Sequence, residues 1–190
     1  MGKHYKAFGI ALLALTLAAA LLLILRPYFS ITPAIHAEYE GTIKHYAAKN
    51  DLDPSLVLAV VKAESNFDPK AISHADAYGL MQITEETLKW AIYREGINAK
   101  YTVEDLLKPE INIRYGCLIL SLLSEEFKDT ATTLAAYNAG RGNVIKWLKD
   151  SRYSEDGKTI KTTPFKETND YIDKVLKYQE KYQQRAGGTE

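Results

Sequence analysis

Between Asp53 and Pro69 the chain reads Asp-Pro-Ser-Leu-Val-Leu-Ala-Val-Val-Lys-Ala-Glu-Ser-Asn-Phe-Asp-Pro, and one short buried helix is the arrangement that satisfies it. Asp53 is a good N-cap, and Pro54 suits the first helical position, where its missing N–H costs nothing. Leu56, Val57, Val60, Val61 and Glu64 then recur at the spacing of a single helical face. Asn66, Asp68 and Pro69 favour a turn, so the helix stops soon after Glu64. A carboxylate therefore ends an aliphatic stripe, in the last turn of a helix.

Two readings of Glu64 follow from the pattern. It is a buried structural carboxylate bonded to a backbone or tyrosine partner, or a working group held in an apolar wall. The negative end of the helix dipole and the apolar neighbours both disfavour its ionisation. Both effects favour a protonated acid near neutral pH, which is what a general acid for a glycosidic oxygen requires.

Further along stand Glu64-Ser65-Asn66-Phe67-Asp68-Pro69-Lys70-Ala71-Ile72-Ser73, Gly79-Leu80-Met81-Gln82, Ala136-Tyr137-Asn138-Ala139-Gly140 and Glu167-Thr168-Asn169-Asp170-Tyr171-Ile172. In that order these resemble the motifs of the lytic transglycosylase catalytic domain of the soluble-transglycosylase type, related in fold to goose-type lysozyme. The resemblance implies an all-α, lysozyme-like domain that cleaves the bond between N-acetylmuramic acid and N-acetylglucosamine in peptidoglycan. It implies one glutamate, Glu64, acting first as acid and then as base. The muramic acid's 6-hydroxyl attacks in place of water, and the product is a 1,6-anhydro sugar.

The same resemblance suggests substrate-binding residues, each with a plainer alternative. Ser73 is placed to bond the acid or the substrate, or simply forms a turn. Gln82 lines the sugar site in the family, whereas Met81 beside it suits packing better than recognition. Tyr137 packs its ring and turns its hydroxyl toward Glu64, and Asn138 is a sugar ligand or a helix C-cap. Glu167 and Tyr171 resemble the pair that closes the far side of the cleft, although a glutamate at a helix start also serves as a dipole partner. The chain departs from the family at Asp76 and Tyr78, where small residues are usual, at Thr84, where methionine is common, and at Arg141, where proline often stands.

Composition narrows the alternatives. With 190 residues and 46% hydrophobic content, one packed domain is expected. Three of the 24 basic residues and none of the 24 acidic ones precede position 38, which leaves the remainder at a formal charge of −3. Nucleic-acid binding, which shows a basic footprint, is not indicated. Cys117 has no partner for a disulfide, and no Cys or His cluster offers a metal site, so neither metal nor cofactor is expected.

Residues 7–25 carry no charge and span ~28 Å as a helix, the thickness of a bilayer core. Lys3 and Lys6 argue for a cytoplasmic N-terminus, which puts the domain outside the cytoplasm. The rival is a cleaved signal peptide with Ile35-His36-Ala37 as a poor cleavage site. The expected layout is an anchor over 1–26, a tether over 27–37, the domain over 38–183 and a disordered tail over 184–190.

Within the domain, Tyr39, Ile43, Tyr46 and Ala47 mark a first helix ending near Asn50. Thr84 caps a helix that Gly96 terminates. A short helix covers 102–107, and Pro109 opens the longest helix, whose buried face carries Ile113, Gly116, Cys117, Leu120 and Phe127. Helices over 130–137 and 143–148 flank the Asn138-Ala139-Gly140 turn, and 151–166 is a loop. From Thr168, Tyr171, Val175, Tyr178 and Tyr182 recur at helical spacing. No stretch alternates well enough to predict a sheet. Peptidoglycan transglycosylation is thus the expected function; a hydrolytic muramidase and a non-catalytic wall-binding module remain the alternatives.

Overall fold

The computed structural model describes residues 33–187, and the side chains of 38–186. The chain divides into Met1–Glu38 and Tyr39–Glu190. The apolar segment 7–25 and the first part of the expected tether lie outside the described residues. Among the described residues no helix is long and apolar enough to cross a membrane.

Among the described residues seven helices follow one another: α1 Pro33–Lys49, α2 Pro54–Ser65, α3 Glu85–Glu95, α4 Pro109–Phe127, α5 Thr130–Ala139, α6 Arg141–Trp147 and α7 Lys166–Gly187, with a 3-10 turn at Glu104–Leu107. Two expectations are corrected: helix α1 begins inside the segment read as a tether, and α7 runs through the first four residues of the segment read as a disordered tail. The domain is mainly helical, as expected, with one short pair of strands that no pattern predicted. Strands β1 Ala77–Tyr78 and β2 Ile83–Thr84 pair antiparallel, Ala77 opposite Thr84 and Tyr78 opposite Ile83. Strands of two residues are too short to leave an alternating pattern in a sequence.

Helix α2 is built as its sequence dictates. The Asp53 carboxylate accepts from Ser55 N–H at 2.8 Å, Pro54 opens the helix, and Asn66 closes it in the left-handed region at φ 55°. Phe67 follows at φ 66°, a conformation that costs a branched-free L residue roughly 1–2 kcal/mol, offset by burial of its ring. Val57, Val60 and Val61 are fully buried, each contributing roughly 1.5–3 kcal/mol. They pack along α7, which presents Tyr171, Ile172, Val175 and Tyr182 as buried residues and Tyr178 at the margin. Gln179 and Gln183 of α7 also donate to Asp53, at 3.3 and 2.9 Å, so the cap that starts α2 ties it to α7.

Helix α4 seats the β1–β2 loop. Asn112, fully buried, accepts from Met81 N–H at 2.7 Å and donates to the carbonyls of Tyr78 and Leu106 at 2.8 Å each. A Cβ at Gly79, which has φ 74°, would fall 2.3 Å from Leu106 O and 2.4 Å from Asn112 Nδ2. One turn along α4, a Cβ at Gly116 would lie 2.1 Å from Met81 Sδ. Both glycines exist because the loop lies directly on the helix.

Replacing Asn112 strands a buried N–H and two carbonyls at once. Asn112→Ala is expected to cost about 3 kcal/mol or more, a fall of roughly 6–12 °C in Tm. Thermal melts followed by circular dichroism read this directly, and a fall of under about 2 °C would show that water replaces the amide.

Candidate active site

Glu64 lies in the last turn of α2, partly covered and partly open to solvent. Its Oε1 accepts from the Tyr171 hydroxyl of α7 at 2.7 Å. Burial pushes its carboxyl up to about 7, while the Tyr171 hydroxyl and the Lys174 ammonium pull the other way. Desolvation wins over both. The carboxyl is open enough for a ligand to reach and surrounded enough to hold a proton near neutral pH. Burial and the neighbouring Glu64 charge hold Tyr171 and Tyr137 well above the usual tyrosine range, so both hydroxyls keep their protons.

Helix α7 is set at its first turn. Thr168 donates to Asn138 Oδ1 of α5 at 2.8 Å, and Asn169 accepts from Thr163 N–H at 2.9 Å. The preceding loop is pinned by Ile160 N–H on Thr132 Oγ1 at 2.9 Å. Tyr171 then falls opposite Glu64. Lys174, one turn on, donates to the Ala63 carbonyl at 2.8 Å.

The Gly79–Gln82 strip lies beside this end of α2, because Ser65 donates to Leu80 O at 2.9 Å. Met81 is fully buried against Gly116, which corrects its place among the sugar-contacting residues. What Met81 offers is backbone: its carbonyl accepts from the Tyr137 hydroxyl at 2.8 Å. The expected turn of that hydroxyl toward Glu64 is corrected too, since its proton is committed to Met81. Gln82, at φ 48°, donates through Nε2 to Gly79 O and Ala71 O at 2.9 and 3.2 Å. Ser73 Oγ accepts from Ala75 and Ala77 N–H at 3.2 and 3.1 Å; it shapes the turn before β1, and no bond joins it to Glu64.

Asn138 is half-buried and holds Thr168; the αC-cap position belongs to Gly140. Glu167 is exposed in the first turn of α7, four residues before Tyr171. Thr84 caps α3 through Thr87 N–H, and Arg141 pairs with Glu126 at 2.6 Å. Tyr137 also lines a groove of about 400 Å³ with Thr87, Trp90 and Arg141. A larger concavity, about 540 Å³ between Phe127, Ile145, Leu148 and Lys158, contains none of the expected site residues, so size is no guide here. Cys117 is a buried core thiol pushed up to about 12 by burial. Among the described residues no group of three or more His, Cys, Asp or Glu could hold a metal.

Sequence reasoning missed Asn112, Thr168 and Lys174. Asn112 left a signal, since it shares the apolar stripe of Gly116, Leu120 and Leu123 as Glu64 shares that of Val57 and Val60. Lys174 lies three residues from Tyr171 and hence on its face. Thr168 stood inside the last motif without a role of its own, and only the fold brings its hydroxyl to Asn138.

Residues 41–160 match the transglycosylase SLT domain family, a stretch that ends before Glu167 and Tyr171. The chain is 32% identical over 171 residues to the membrane-bound lytic murein transglycosylase C of Histophilus somni, covering 78% of this chain and 47% of that protein. It is 32% identical over 151 residues to the soluble lytic murein transglycosylase of Escherichia coli, covering 78% of this chain and 23% of that one. The chain thus spans about half the length of the first of these relatives, and less of the second. Among solved structures, an inactive variant of the lytic transglycosylase Slt of Pseudomonas aeruginosa superposes with a TM-score of 0.69 at 32% identity, covering 87% of this chain and 26% of that one.

The raised Glu64 pKa has a stability consequence. The folded state holds this proton more tightly than the unfolded chain, so ionisation costs stability. The cost is absent below pH ~4.5, grows as pH rises, and is complete above pH ~7. Relative to wild type, Glu64→Gln should therefore gain little at pH 4 and up to roughly 3 kcal/mol at pH 8. Urea denaturation at the two pH values reads the difference; an equal effect at both would mean that Glu64 titrates normally.

Proposed function

The chain belongs to the transglycosylase SLT domain family, and on that premise we propose that it is a peptidoglycan lytic transglycosylase with Glu64 as its acid and base. The observation that carries this reading is the half-covered Glu64 carboxyl, bonded by Tyr171 at 2.7 Å and pushed up to about 7 by burial. The groups that bear on its charge are a phenol and an ammonium. Neither is a second carboxylate of the kind a hydrolytic glycosidase uses to activate water or attack the sugar.

In this mechanism the protonated Glu64 gives its proton to the glycosidic oxygen as the C1–O bond of N-acetylmuramic acid breaks. The carboxylate left behind takes the proton of the same sugar's 6-hydroxyl as O6 closes on C1. A 1,6-anhydro end forms, no water is consumed and Glu64 is protonated again. Tyr171 fixes the carboxyl's orientation through both stages, since its hydroxyl donates more strongly to the charged form. Glu167 and Ser73 meet the strand at the cleft's edges, Gln82 and Asn138 meet sugar polar groups, and the Tyr137 ring offers a flat face to a sugar.

The uncharged segment 7–25 acts in this proposal as a membrane anchor that holds the domain, residues 38–183, at the outer side of the membrane beside its glycan substrate. Membrane association is the property named for the Histophilus somni relative. Fractionation followed by N-terminal sequencing should find the leader intact in the membrane fraction; a mature terminus near Glu38 would overturn the anchor.

Glu64→Gln is expected to lower turnover of purified peptidoglycan by ~10²–10⁴-fold with the fold intact. Mass spectrometry of the wild-type products should give ends one water lighter than those of hydrolysis. Reducing ends would make the protein a muramidase, and undiminished turnover by the variant would move the acid elsewhere.

A further inference from the structure

The end of α2 receives two donors from α7, and only Tyr171 has a place in the chemistry above. The second is Lys174, whose ammonium meets the carbonyl of Ala63, the residue before Glu64, at 2.8 Å. That carbonyl is among the last four of α2, which have no partner within the helix. A neutral donor would satisfy it equally well. An ammonium also opposes the negative end of the helix dipole and places a positive charge beside the carboxyl.

The charged and titratable groups around this point come from three helices. Helix α7 supplies Tyr171 and Lys174, α5 supplies Tyr137, and α2 itself supplies Lys62. Tyr171 and Tyr137 stay neutral. Lys62 is bonded to Asn66 Oδ1 at 2.5 Å and is itself held below the usual lysine range by burial and by repulsion from Lys174. Of the two cations, Lys174 is the one that favours the ionised Glu64.

We propose that Lys174 is a positioning residue for the reaction: it caps the last turn of α2 and steadies the carboxylate that Glu64 becomes after giving up its proton. The proposal rests on the reading of Glu64 as acid and base. Lys174 transfers no proton of its own; it holds a fixed positive charge while Glu64 passes from acid to carboxylate and back. Without it, desolvation acts unopposed except by Tyr171, and the acid releases its proton less readily.

Lys174→Gln tests charge apart from capping, because the amide still offers Ala63 a donor. A ¹³C NMR titration of the Glu64 carboxyl reads the acid directly, without substrate. Its midpoint should rise by roughly 0.5–1 unit in Lys174→Gln and stay in place in Lys174→Arg. The alkaline limb of the activity profile should move with it, and kcat should fall several-fold at near-constant KM. Because Lys174 is exposed, ~0.5 M salt should shrink the difference. A midpoint unmoved in Lys174→Gln would overturn the proposal, leaving Lys174 as a cap alone whatever its effect on melting. Absence of anhydro product from the wild type would instead overturn the functional reading, while the titration would still decide whether the lysine governs the acid.

Discussion

The buried amide of Asn112 is the contact on which the site's wall depends. It meets an N–H and a carbonyl of the β1–β2 turn and a carbonyl of the 3-10 turn, and so converts an irregular loop into a fixed surface on α4. A buried loop normally carries polar backbone groups that cannot be left unpaired. Here one side chain satisfies two of the loop's and one of the 3-10 turn's, and Tyr137 satisfies the Met81 carbonyl as well. The rest of the arrangement is steric: Gly79 and Gly116 remove the side chains that would hold the loop away from the helix.

Against this wall stands a carboxyl whose protonation is a contest between burial on one side and a phenol donor and a nearby cation on the other. Burial dominates and pushes the carboxyl up to about 7. The balance matters more than either side. A fully buried acid would be unreachable and would not give up its proton, whereas a fully solvated one would have lost it before substrate arrived. Partial exposure and a phenol partner place Glu64 between these limits.

Much of this was legible in the sequence because local signals agreed. Asp53-Pro54 fixed the start of α2, the aliphatic stripe fixed the face of Glu64, and Thr84 and Gly96 bounded α3. The stripe from Tyr171 to Tyr182 foretold a buried α7, although no spacing rule says that Tyr171 meets Glu64 across 107 residues; the resemblance put Tyr171 only at the far side of the cleft and expected Tyr137 to reach Glu64. What stayed hidden was of two kinds. The β1–β2 pair is too short for periodicity, being held by Asn112 and by left-handed Gln82 rather than by strand propensity. The destinations of the Ser73, Tyr137 and Gln82 hydrogen bonds depend on which carbonyls a tertiary fold brings near, and residue type alone cannot say.

Helix α7 holds α2 at both ends, through Gln179 and Gln183 on Asp53 and through Tyr171 and Lys174 beside Glu64. Since α7 starts at Lys166, the acid's surroundings are assembled only after the ribosome has released that stretch. A chain that stops short of it lacks the Tyr171 hydroxyl and the Lys174 ammonium together, so both contacts at the end of α2 arrive with the last helix to be made.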